Sequence, residues 1–509
     1  MAKAKEKGRL GCMVPGEGDA PAVFVEGGRA AGPKLFDSEK IVDEMGLWWK
    51  SGGGNTFVLG NEKRGFSVWP EQAVTDKLRM DRAIAIKARE GEWLSEAKQV
   101  FLYARENRCL DEIFPALPGY RSGVYRLESG ERVLVKTSPN LPVPEEGPWD
   151  TIRALIEGQL DRSETMDVDQ TPWFHSWCKI ANSALRSGEP GQWRQGHAMI
   201  LTGPAGGGKS RIQENLITPM LGGRAADPKK FLFDQDEFNG DVFAAEHLSL
   251  GEVPSSQKTV DRTALAETIK QIVANSAQRM RLMRTEPWTV HPYWRLTISL
   301  NDDPDKLRSL PLITNDFGDK VLIFHTRQSE LPMPTRTDEE RKAFRDALRE
   351  ELPAYIWWME NVWEIPEELL TYKNGRDATR FGFREFHHPV IKSGLFDDTP
   401  AAELMQMIDM AVFTLEGVDR KLWELPSQST IDGTWWERAQ TLEAILTGNA
   451  QWSSSVAPKA KQLFQHNKIT SLLGRLKLTE GIAGVRLEHQ PHRDWKGWMI
   501  CRPPTDWAI

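Results

Sequence analysis

A glycine-rich loop between an apolar run and a helical stretch is the feature that most constrains this chain. Residues 197–215 read HAMILTGPAGGGKSRIQEN, and the apolar run at 198–201 predicts a short buried strand. Residues 203–210, GPAGGGKS, follow it and match the pattern G-x-x-x-x-G-K-[ST], and residues 210–216 predict the first turns of a helix. Strand, glycine loop and helix are the context in which this pattern binds phosphate. A glycine-rich turn with a chance lysine is the alternative, and that context disfavours it.

The physical chemistry of this loop favours an anion. Glycines allow the backbone N–H groups to turn inward, and the helix that follows presents its N-terminus, where the dipole attracts negative charge. Lys209 can reach the β- and γ-phosphates of a nucleotide, and the Ser210 hydroxyl can bind Mg²⁺. The sequence therefore predicts a site for ATP and Mg²⁺. The expected nucleotide-binding residues are Gly203, Pro204, Ala205, Gly206, Gly207, Gly208, Lys209, Ser210 and Arg211.

Length and composition limit the class of protein. A chain of 509 residues has room for about two to four domains. The net charge of −7 excludes a chain that is basic throughout, so any nucleic-acid site has to be a local patch. The four cysteines form no CxxC pair, which argues against a zinc site or a disulfide framework and for a reducing compartment. No apolar run approaches the length of a membrane span, so we expect a cytoplasmic protein without membrane contact.

Changes in residue pattern along the chain predict six parts of a multidomain α/β protein. Residues 1–34, rich in Gly, Ala, Pro and Lys, predict a flexible lead-in, and residues 35–145 predict an α+β module that ends in a proline-rich linker. The remaining parts are a helical lead-in at 150–195, a P-loop core of parallel sheet and flanking helices at 196–330, a helical and loop region at 331–430, and a winged-helix domain at 431–509.

Local patterns within these parts give finer expectations. In the first module we expect helices at 79–89 and 93–105. After the P-loop core we expect two helical segments on either side of Pro353, because proline interrupts helices. Residues 372–389, YKNGRDATRFGFREFHHP, predict a basic and aromatic loop.

The last part of the chain has the element order of a winged helix. We expect a helix at 435–446, one or two helices at 457–476, and strands at 484–487 and 497–501. Residues 459–502 include nine basic side chains and only three acidic ones, and this excess of positive charge indicates a DNA-facing surface. A winged helix that packs against a neighbouring protein is the alternative, because the fold alone does not decide. The basic residues are Lys459, Lys461, Lys468, Arg475, Lys477, Arg486, Arg493, Lys496 and Arg502.

Two polar residues follow predicted core strands. Glu252 comes after the strand at 247–250, where a carboxylate can polarise the attacking water or hold Mg²⁺, although Gly251 stands where many ATPases have a first acid. Asn301 ends the strand at 293–301, where an amide can orient the attacking water. A surface glutamate and a helix-capping asparagine are the structural alternatives.

Basic residues lie on both sides of that strand. Residues 278–292 predict a tight hairpin whose Arg279, Arg281 and Arg284 are candidate contacts for nucleic-acid phosphates. Lys320 precedes a fourth core strand at 321–324.

This order of motifs resembles that of superfamily 3 helicases, and most closely the primase–helicase proteins of tailed phages and integrated mobile elements. The resemblance covers about residues 170–330, and RFGFREFHHP and the C-terminal winged helix are also similar to that group. It implies a ring-forming AAA+ ATPase, usually a hexamer, that translocates on single-stranded DNA and unwinds forked duplex.

The resemblance also implies roles for residues at matching positions. Lys209 and Ser210 match the Walker A residues, Glu252 the Walker B acid and Asn301 the sensor. The hairpin with Arg281 and Arg284 lies where the family's pore hairpin grips DNA. The family's trans-acting arginine normally precedes the strand after the sensor; this sequence has Lys320 there, and Arg308 in a neighbouring loop is a second candidate. No primase motif is evident in the first module.

Two functions remain in competition. The first is a DNA helicase that hydrolyses ATP between ring subunits and has single-stranded or forked DNA as its partner. The second is a nucleotide-gated regulatory or partner-loading ATPase, for example in anti-phage defence, whose other domains bind proteins. Gly251 and Lys320 are the departures that would favour the second.

Overall fold

The chain forms two compact units, Met1–Ser138 and Pro139–Ile509, each with its own sheets and helices. No helix in the part of the chain that the structure describes has both the length and the apolar character needed to cross a membrane. The computed structural model describes residues 12–14, 23–25, 36–89, 93–160, 168–233, 238–251, 259–283, 286–372, 375, 377–378, 380–397, 400–408, 434–437, 439–448, 453–478, 487–492 and 495–501.

The first unit contains two small mixed sheets. One has the strand order β5-β4-β3-β6 and the other the order β7-β9-β8, and in each only one neighbouring pair is parallel. The strands are β3 (Leu47–Lys50), β4 (Thr56–Asn61), β5 (Gly65–Pro70), β6 (Cys109–Leu110), β7 (Glu112–Phe114), β8 (Gly123–Arg126) and β9 (Arg132–Val135). The helices are α1 (Ser38–Met45), α2 (Glu71–Arg82) and α3 (Glu96–Asn107).

The expected flexible lead-in at residues 1–34 includes two short strands that pair antiparallel, β1 (Cys12–Val14) and β2 (Val23–Val25). One expectation for this unit needs correction. The helix expected at 79–89 is α2, which begins at Glu71 and ends at Arg82. It ends there because Ala83 adopts a left-handed conformation and its N–H donates to Arg79 O, which closes the last turn.

A six-stranded, all-parallel sheet organises the second unit and confirms the expected parallel α/β core. Its order is β11-β12-β15-β10-β16-β17, so the strand before the glycine loop, β10, lies between β15 and β16. The strands are β10 (Ala198–Gly203), β11 (Ala225–Ala226), β12 (His247–Leu250), β15 (Arg295–Asn301), β16 (Val321–His325) and β17 (Phe386–His387). The antiparallel hairpin of β13 (Gln278–Met280) and β14 (Trp288–Val290) forms at the place expected from the sequence.

Helices cover this sheet. Helix α6 after the glycine loop continues through a π-helical stretch into α7. The helices are α4 (Asp150–Leu160), α5 (Thr171–Ser187), α6 (Lys209–Arg211), the π-helix Ile212–Ile217, α7 (Thr218–Met220), α8 (Lys229–Phe233), the 3-10 turn Val242–Ala244, α9 (Thr259–Ala274), α10 (Pro304–Leu307), α11 (Asn315–Gly318), α12 (Asp338–Asn361), α13 (Glu367–Leu370), α14 (Pro389–Asp397) and α15 (Pro400–Ile408).

The two helices expected around Pro353 are in fact one, α12. Its apolar positions Phe344, Leu348, Leu352 and Tyr355 keep helical spacing across the proline and are all buried. Burial of this stripe outweighs the local cost of proline. The loop expected at 372–389 also needs correction, because its end forms β17, which pairs parallel with β16.

The proline-rich segment after residue 138 has no helix or strand, yet it is packed within the second unit. Asn140 N donates to Gly222 O at 3.0 Å, and Glu145 N donates to Pro353 O at 3.3 Å. Leu141 lies against the main apolar core. These bonds replace those that a regular element would supply.

The described residues from 434 to 501 form three helices and a three-stranded antiparallel sheet of order β18-β20-β19. The prediction of a helix at 435–446 is partly wrong, because Trp435 and Trp436 belong to β18 and pair with β20. Aromatic residues favour strands, which accounts for this difference. Of the strand expected at 484–487, only Leu487 lies within the described residues, where it belongs to β19 (Leu487–His492). The winged-helix assignment stays a prediction. The elements are β18 (Thr434–Glu437), Ala439–Thr447, Ser453–His466, Ile469–Leu478, β19 (Leu487–His492) and β20 (Trp495–Cys501).

Four histidines of the second unit are buried and a fifth, His387, is partly buried, and desolvation lowers the pKa of each. The pKa is about 3 for His197 and His247, and about 4 for His175, His387 and His388. In the unfolded chain each would have a pKa of about 6.5. Below that pH the unfolded state therefore binds more protons than the folded state, and the free energy of unfolding falls as the pH drops from about 6.5 towards 4.

Replacing His197 by leucine should weaken this pH dependence. Neither ring nitrogen of His197 has a hydrogen-bond partner among the described residues, and the ring lies 4.5 Å from that of Phe381. We expect His197→Leu to change stability at pH 7.5 by less than about 1.5 kcal/mol, since the volumes are similar. The fall in unfolding free energy between pH 6.5 and 4.5 should become shallower by about 1.4 kcal/mol per pH unit. Urea unfolding across this range measures both, and an unchanged slope would contradict the burial of a neutral imidazole.

Candidate nucleotide-binding site

The glycine loop leaves the carboxyl end of β10 and enters α6 at Lys209, so strand, loop and helix follow one another as the sequence predicts. Two glycines are required by close contacts as well as by positive φ angles. A Cβ on Gly203 would lie 2.2 Å from Thr326 Oγ1, and a Cβ on Gly208 would lie 2.5 Å from Gln159 Nε2. The loop is therefore packed between two neighbours that leave no room for side chains.

Lys209 is folded back over this loop. Its side chain is buried, and its Nζ donates to Gly203 O at 2.8 Å, to Pro204 O at 2.7 Å and to Asn301 Oδ1 at 3.4 Å. Desolvation lowers the pKa of this ammonium, and the nearby charges of Asp302 and Asp303 oppose that shift. Carbonyl oxygens thus hold a positive charge at the centre of the loop, where phosphate oxygens can replace them.

Asn301 reaches Lys209 because of the strand order. Strands β10 and β15 are parallel neighbours in a register that places Gly203 opposite Asn301. Asp302 continues the contact, since its N–H donates to Gly203 O at 3.2 Å. The structure therefore brings together Lys209 and Asn301, which the sequence places 92 residues apart.

A cavity of about 320 Å³ lies beside the loop, within the range of small-ligand sites. Ser210 is exposed at its wall, as a metal ligand in this position has to be. Gly251 lies on the opposite wall and its carbonyl accepts a hydrogen bond from Ser299 Oγ at 3.1 Å. Glu252 lies outside the described residues. The cavity is lined by Gly206, Gly207, Gly208, Lys209, Ser210, Arg211, Gly251, Ser299, Leu300, Asn301 and Lys306.

Lys320 lies at the other end of the sheet. Its carbonyl accepts from Ala198 N, at the start of β10, whereas the loop follows the last residue of that strand. A strand of this length separates the two by about 17 Å. Lys320 Nζ donates to Asp319 Oδ1 at 2.6 Å. Lys320 is therefore remote from the loop of its own chain, and a role in catalysis requires the site of another copy.

The predicted hairpin is anchored at its first strand by a residue that sequence reasoning missed. Asn239 donates from N to Arg281 O at 3.2 Å and from Nδ2 to Arg279 O at 3.1 Å, and its Oδ1 accepts from Arg281 N at 2.8 Å. The side chains of Arg279 and Arg281 are exposed. Arg284 lies outside the described residues.

Sequence reasoning also missed three residues around the loop. Gln159 in α4 is fully buried against Gly208, and its carboxamide has no hydrogen-bond partner among the described residues. Gln170 accepts from His325 N at 2.9 Å and donates to His325 O at 2.8 Å, so its side chain extends the ladder of β16. Lys306 lines the cavity. No local pattern marks these residues; only the tertiary fold brings them to the site.

A closed ring of hydrogen bonds joins the helix after the loop to two strands. Gln213 Nε2 donates to Thr297 Oγ1 at 2.8 Å, and Thr297 Oγ1 lies 2.8 Å from His247 Nε2. His247 Nδ1 lies 2.6 Å from Thr218 Oγ1, which donates to Gln213 O at 2.9 Å. Because Thr218 uses its proton on that carbonyl, it accepts from a protonated Nδ1, and Nε2 accepts from Thr297. Each of the four bonds of the ring thereby has one donor and one acceptor.

Comparisons with known proteins do not assign the chain to a family. No protein-family model matches it, and no curated protein matches it. Among solved structures, the apo C-terminal region of NrS-1 is 11% identical with a TM-score of 0.49, and covers 93% of this chain and 100% of that chain. An A-form apo structure of the same region is 12% identical with a TM-score of 0.48, and covers 91% and 98%. JCV helicase with a bound acetamide compound is 11% identical with a TM-score of 0.22, and covers 41% and 58%.

Gly208→Ala should weaken nucleotide binding more than Gly206→Ala. Both positions have positive φ, so both substitutions carry similar backbone strain. They differ in their surroundings, because a Cβ at Gly206 meets no atom within 4 Å, whereas a Cβ at Gly208 meets the confined Gln159 amide. We expect Gly208→Ala to lower the affinity for a fluorescent ATP analogue by at least about tenfold beyond Gly206→Ala, or about 1.4 kcal/mol. Adding Gln159→Ala to Gly208→Ala should recover most of that difference. Equal losses in the two single variants would contradict the packing of Gln159 on the loop.

Proposed function

We propose that this protein is an ATP-dependent DNA helicase or translocase whose second unit hydrolyses ATP with Mg²⁺. The observation that carries the proposal is the meeting of Lys209 with Asn301 beside the glycine loop. The transfer of a phosphoryl group to water requires a cation that binds the phosphate close to a group that orients the water, and these two side chains can supply both. The two side chains meet at the carboxyl edge of a parallel sheet, and ligands bind at this edge in this type of fold.

Each residue has a definite task in this proposal. The inward-facing loop amides and Lys209 bind the phosphates and balance their charge. The Ser210 hydroxyl and the Glu252 carboxylate would hold Mg²⁺, which would neutralise charge on the phosphates. Asn301 orients the attacking water without adding a charge of its own, and Glu252 polarises it.

The position of Lys320 supports a site shared between subunits. This lysine sits at the amino edge of the sheet, whereas the glycine loop of the same chain sits at the carboxyl edge. In a ring, the amino edge of one copy can face the loop of the next, and Lys320 or Arg308 would then act on the neighbour's nucleotide. We therefore propose a ring, with the hexamer of superfamily 3 helicases as the expected size.

The anchored hairpin is the proposed contact with DNA. Arg279 lies in β13 and Arg281 follows that strand directly, and Asn239 holds the backbone of both, so a movement of the hairpin would carry both charges with it. Together with Arg284 they would follow the phosphate backbone of a single strand, which requires no base recognition.

A second candidate function rests on two particular observations. Gly251 provides only a carbonyl where many ATPases have a metal-binding acid, and Lys320 is held by Asp319 in its own chain. Both features would slow turnover, as expected of a nucleotide-gated regulatory or partner-loading ATPase that binds proteins rather than unwinding DNA.

The ATPase rate with and without single-stranded DNA separates the two functions. We expect DNA to stimulate hydrolysis, and Lys209→Ala to abolish the rate because the loop loses the ammonium group that its carbonyls hold at the phosphate site. Asn301→Ala should lower kcat by about 100-fold, the usual size for one preorganised polar group, with little change in nucleotide affinity. A slow rate that DNA does not change, with intact folding, would favour the nucleotide-gated switch.

Removing the hairpin arginines should weaken DNA binding without sequence preference. The Arg279→Ala/Arg281→Ala double variant should bind an oligothymidylate more weakly, and the slope of log affinity against log salt should fall by about 0.7 for each lost phosphate contact. Arg349→Ala serves as the control, since Arg349 is an exposed arginine of α12 outside the hairpin. Equal affinities of the double variant and the control would overturn the hairpin assignment but leave the ATPase site untouched.

A further inference from the structure

The first unit contains a cavity of about 840 Å³, larger than the one beside the glycine loop. It is bounded by strands β3, β4 and β8 together with residues at the ends of α3 and β9. Its volume lies in the upper part of the range for small-ligand sites. Neither the glycine loop nor the hairpin contributes to it, so the proposed ATPase function does not account for this cavity.

The cavity wall carries a surplus of positive charge. Lys63, Arg108, Arg126 and Arg132 line it, against the acids Asp43 and Glu62. Arg108 pairs with Asp43. Lys63 and Arg126 are exposed, and neither has an ion-pair partner among the described residues. At least two cations of the wall are therefore available to a ligand.

Two of these cations face each other directly. Arg126 and Arg132 are cross-strand partners in the antiparallel pair of β8 and β9. Like charges in directly opposite positions destabilise a sheet. Arg132 is oriented by a hydrogen bond from Nη1 to Asn107 O at 3.1 Å. An anion between the two side chains would offset their repulsion, and phosphate suits the guanidinium geometry.

Aromatic side chains line the same cavity. Trp48, Phe66 and Tyr125 are each partly buried at its wall. The guanidinium groups of Arg108 and Arg132 lie 4.9 and 5.6 Å from the centre of the Trp48 ring. Burial, and then the charge of Glu62, raise the pKa of Tyr125, so its ring stays neutral. Aromatic faces next to cations are the arrangement that stacks bases while holding phosphates.

Two glycines, Gly46 and Gly60, also line the cavity. A Cβ on Gly46 would lie 2.1 Å from Gly60 O, and Gly60 N donates to Gly46 O at 3.1 Å. Their main chains are therefore in direct contact, and neither glycine adds a side chain to the wall.

We propose that this cavity binds a nucleotide unit, with its phosphate at Lys63, Arg126 and Arg132 and its base against the aromatic wall. The unit can belong to a single-stranded nucleic acid or be a free mononucleotide, because both carry the same phosphate and base. The proposal does not depend on the ATPase, since its residues all lie in the first unit.

The test uses the full chain with Lys209→Ala and Arg279→Ala/Arg281→Ala, which removes the loop lysine and two of the three hairpin arginines. Fluorescence anisotropy measures the binding of a labelled twelve-residue oligothymidylate, with unlabelled thymidine monophosphate as competitor. In this background, Lys63→Ala/Arg126→Ala should weaken oligonucleotide binding at least about tenfold and reduce the salt slope by about 1.4. The control is Arg79→Ala/Lys98→Ala, two exposed basic residues of α2 and α3 outside the cavity, which should leave the affinity unchanged.

The competitor identifies the source of the nucleotide unit. If millimolar thymidine monophosphate displaces the labelled oligonucleotide, the ligand can be a free mononucleotide. If the oligonucleotide binds strongly and the mononucleotide does not displace it, the ligand is a strand. Either result supports the cavity, provided that Lys63→Ala/Arg126→Ala removes the binding signal. Equal binding by the cavity and control variants, or no binding of either probe, would overturn the proposal. Thermal unfolding of both variants checks that the fold is intact. These outcomes leave the ATPase assay unaffected, so failure of one proposal does not imply failure of the other.

Discussion

The second unit depends on one parallel strand pair. Strands β10 and β15 align Gly203 with Asn301, so the end of one strand supplies the loop and the end of the other supplies the amide. A buried ammonium is costly without partners; the loop carbonyls supply two for Lys209, and the meeting of these strand ends adds the Asn301 amide. The glycines, the helix and the cavity beside it are all arranged around that one charge.

Much of this core could be predicted from the sequence because its signals are local. The apolar runs of β10 and β16 are short, continuous and bounded by polar residues, which is typical of strands buried on both faces. The glycine loop and the 278–292 hairpin likewise depend on neighbouring residues. Asn301 could be selected as a candidate because it ends such a strand, although its 3.4 Å approach to Lys209 required the strand order.

The rest could not be predicted because distant parts of the chain determine it. Strand β17 forms inside a segment with a loop-like composition, since β16 offers an unpaired edge. The helix α12 continues through Pro353 because its apolar stripe is buried against α4 and α5. Gln159 has no sequence motif at all; its place beside Gly208 arises from the packing of α4. Burial and long-range pairing outweigh local propensity at each of these positions.

The closed ring of Gln213, Thr297, His247 and Thr218 also limits how this sequence can vary. Each hydroxyl has one proton to donate, so all four bonds run in one direction around the ring and only one histidine tautomer completes it. A replacement at one position would leave a buried donor or acceptor without a partner at the next. Related chains should therefore either keep all four residues or exchange them together for an apolar set, and intermediate combinations should be rare.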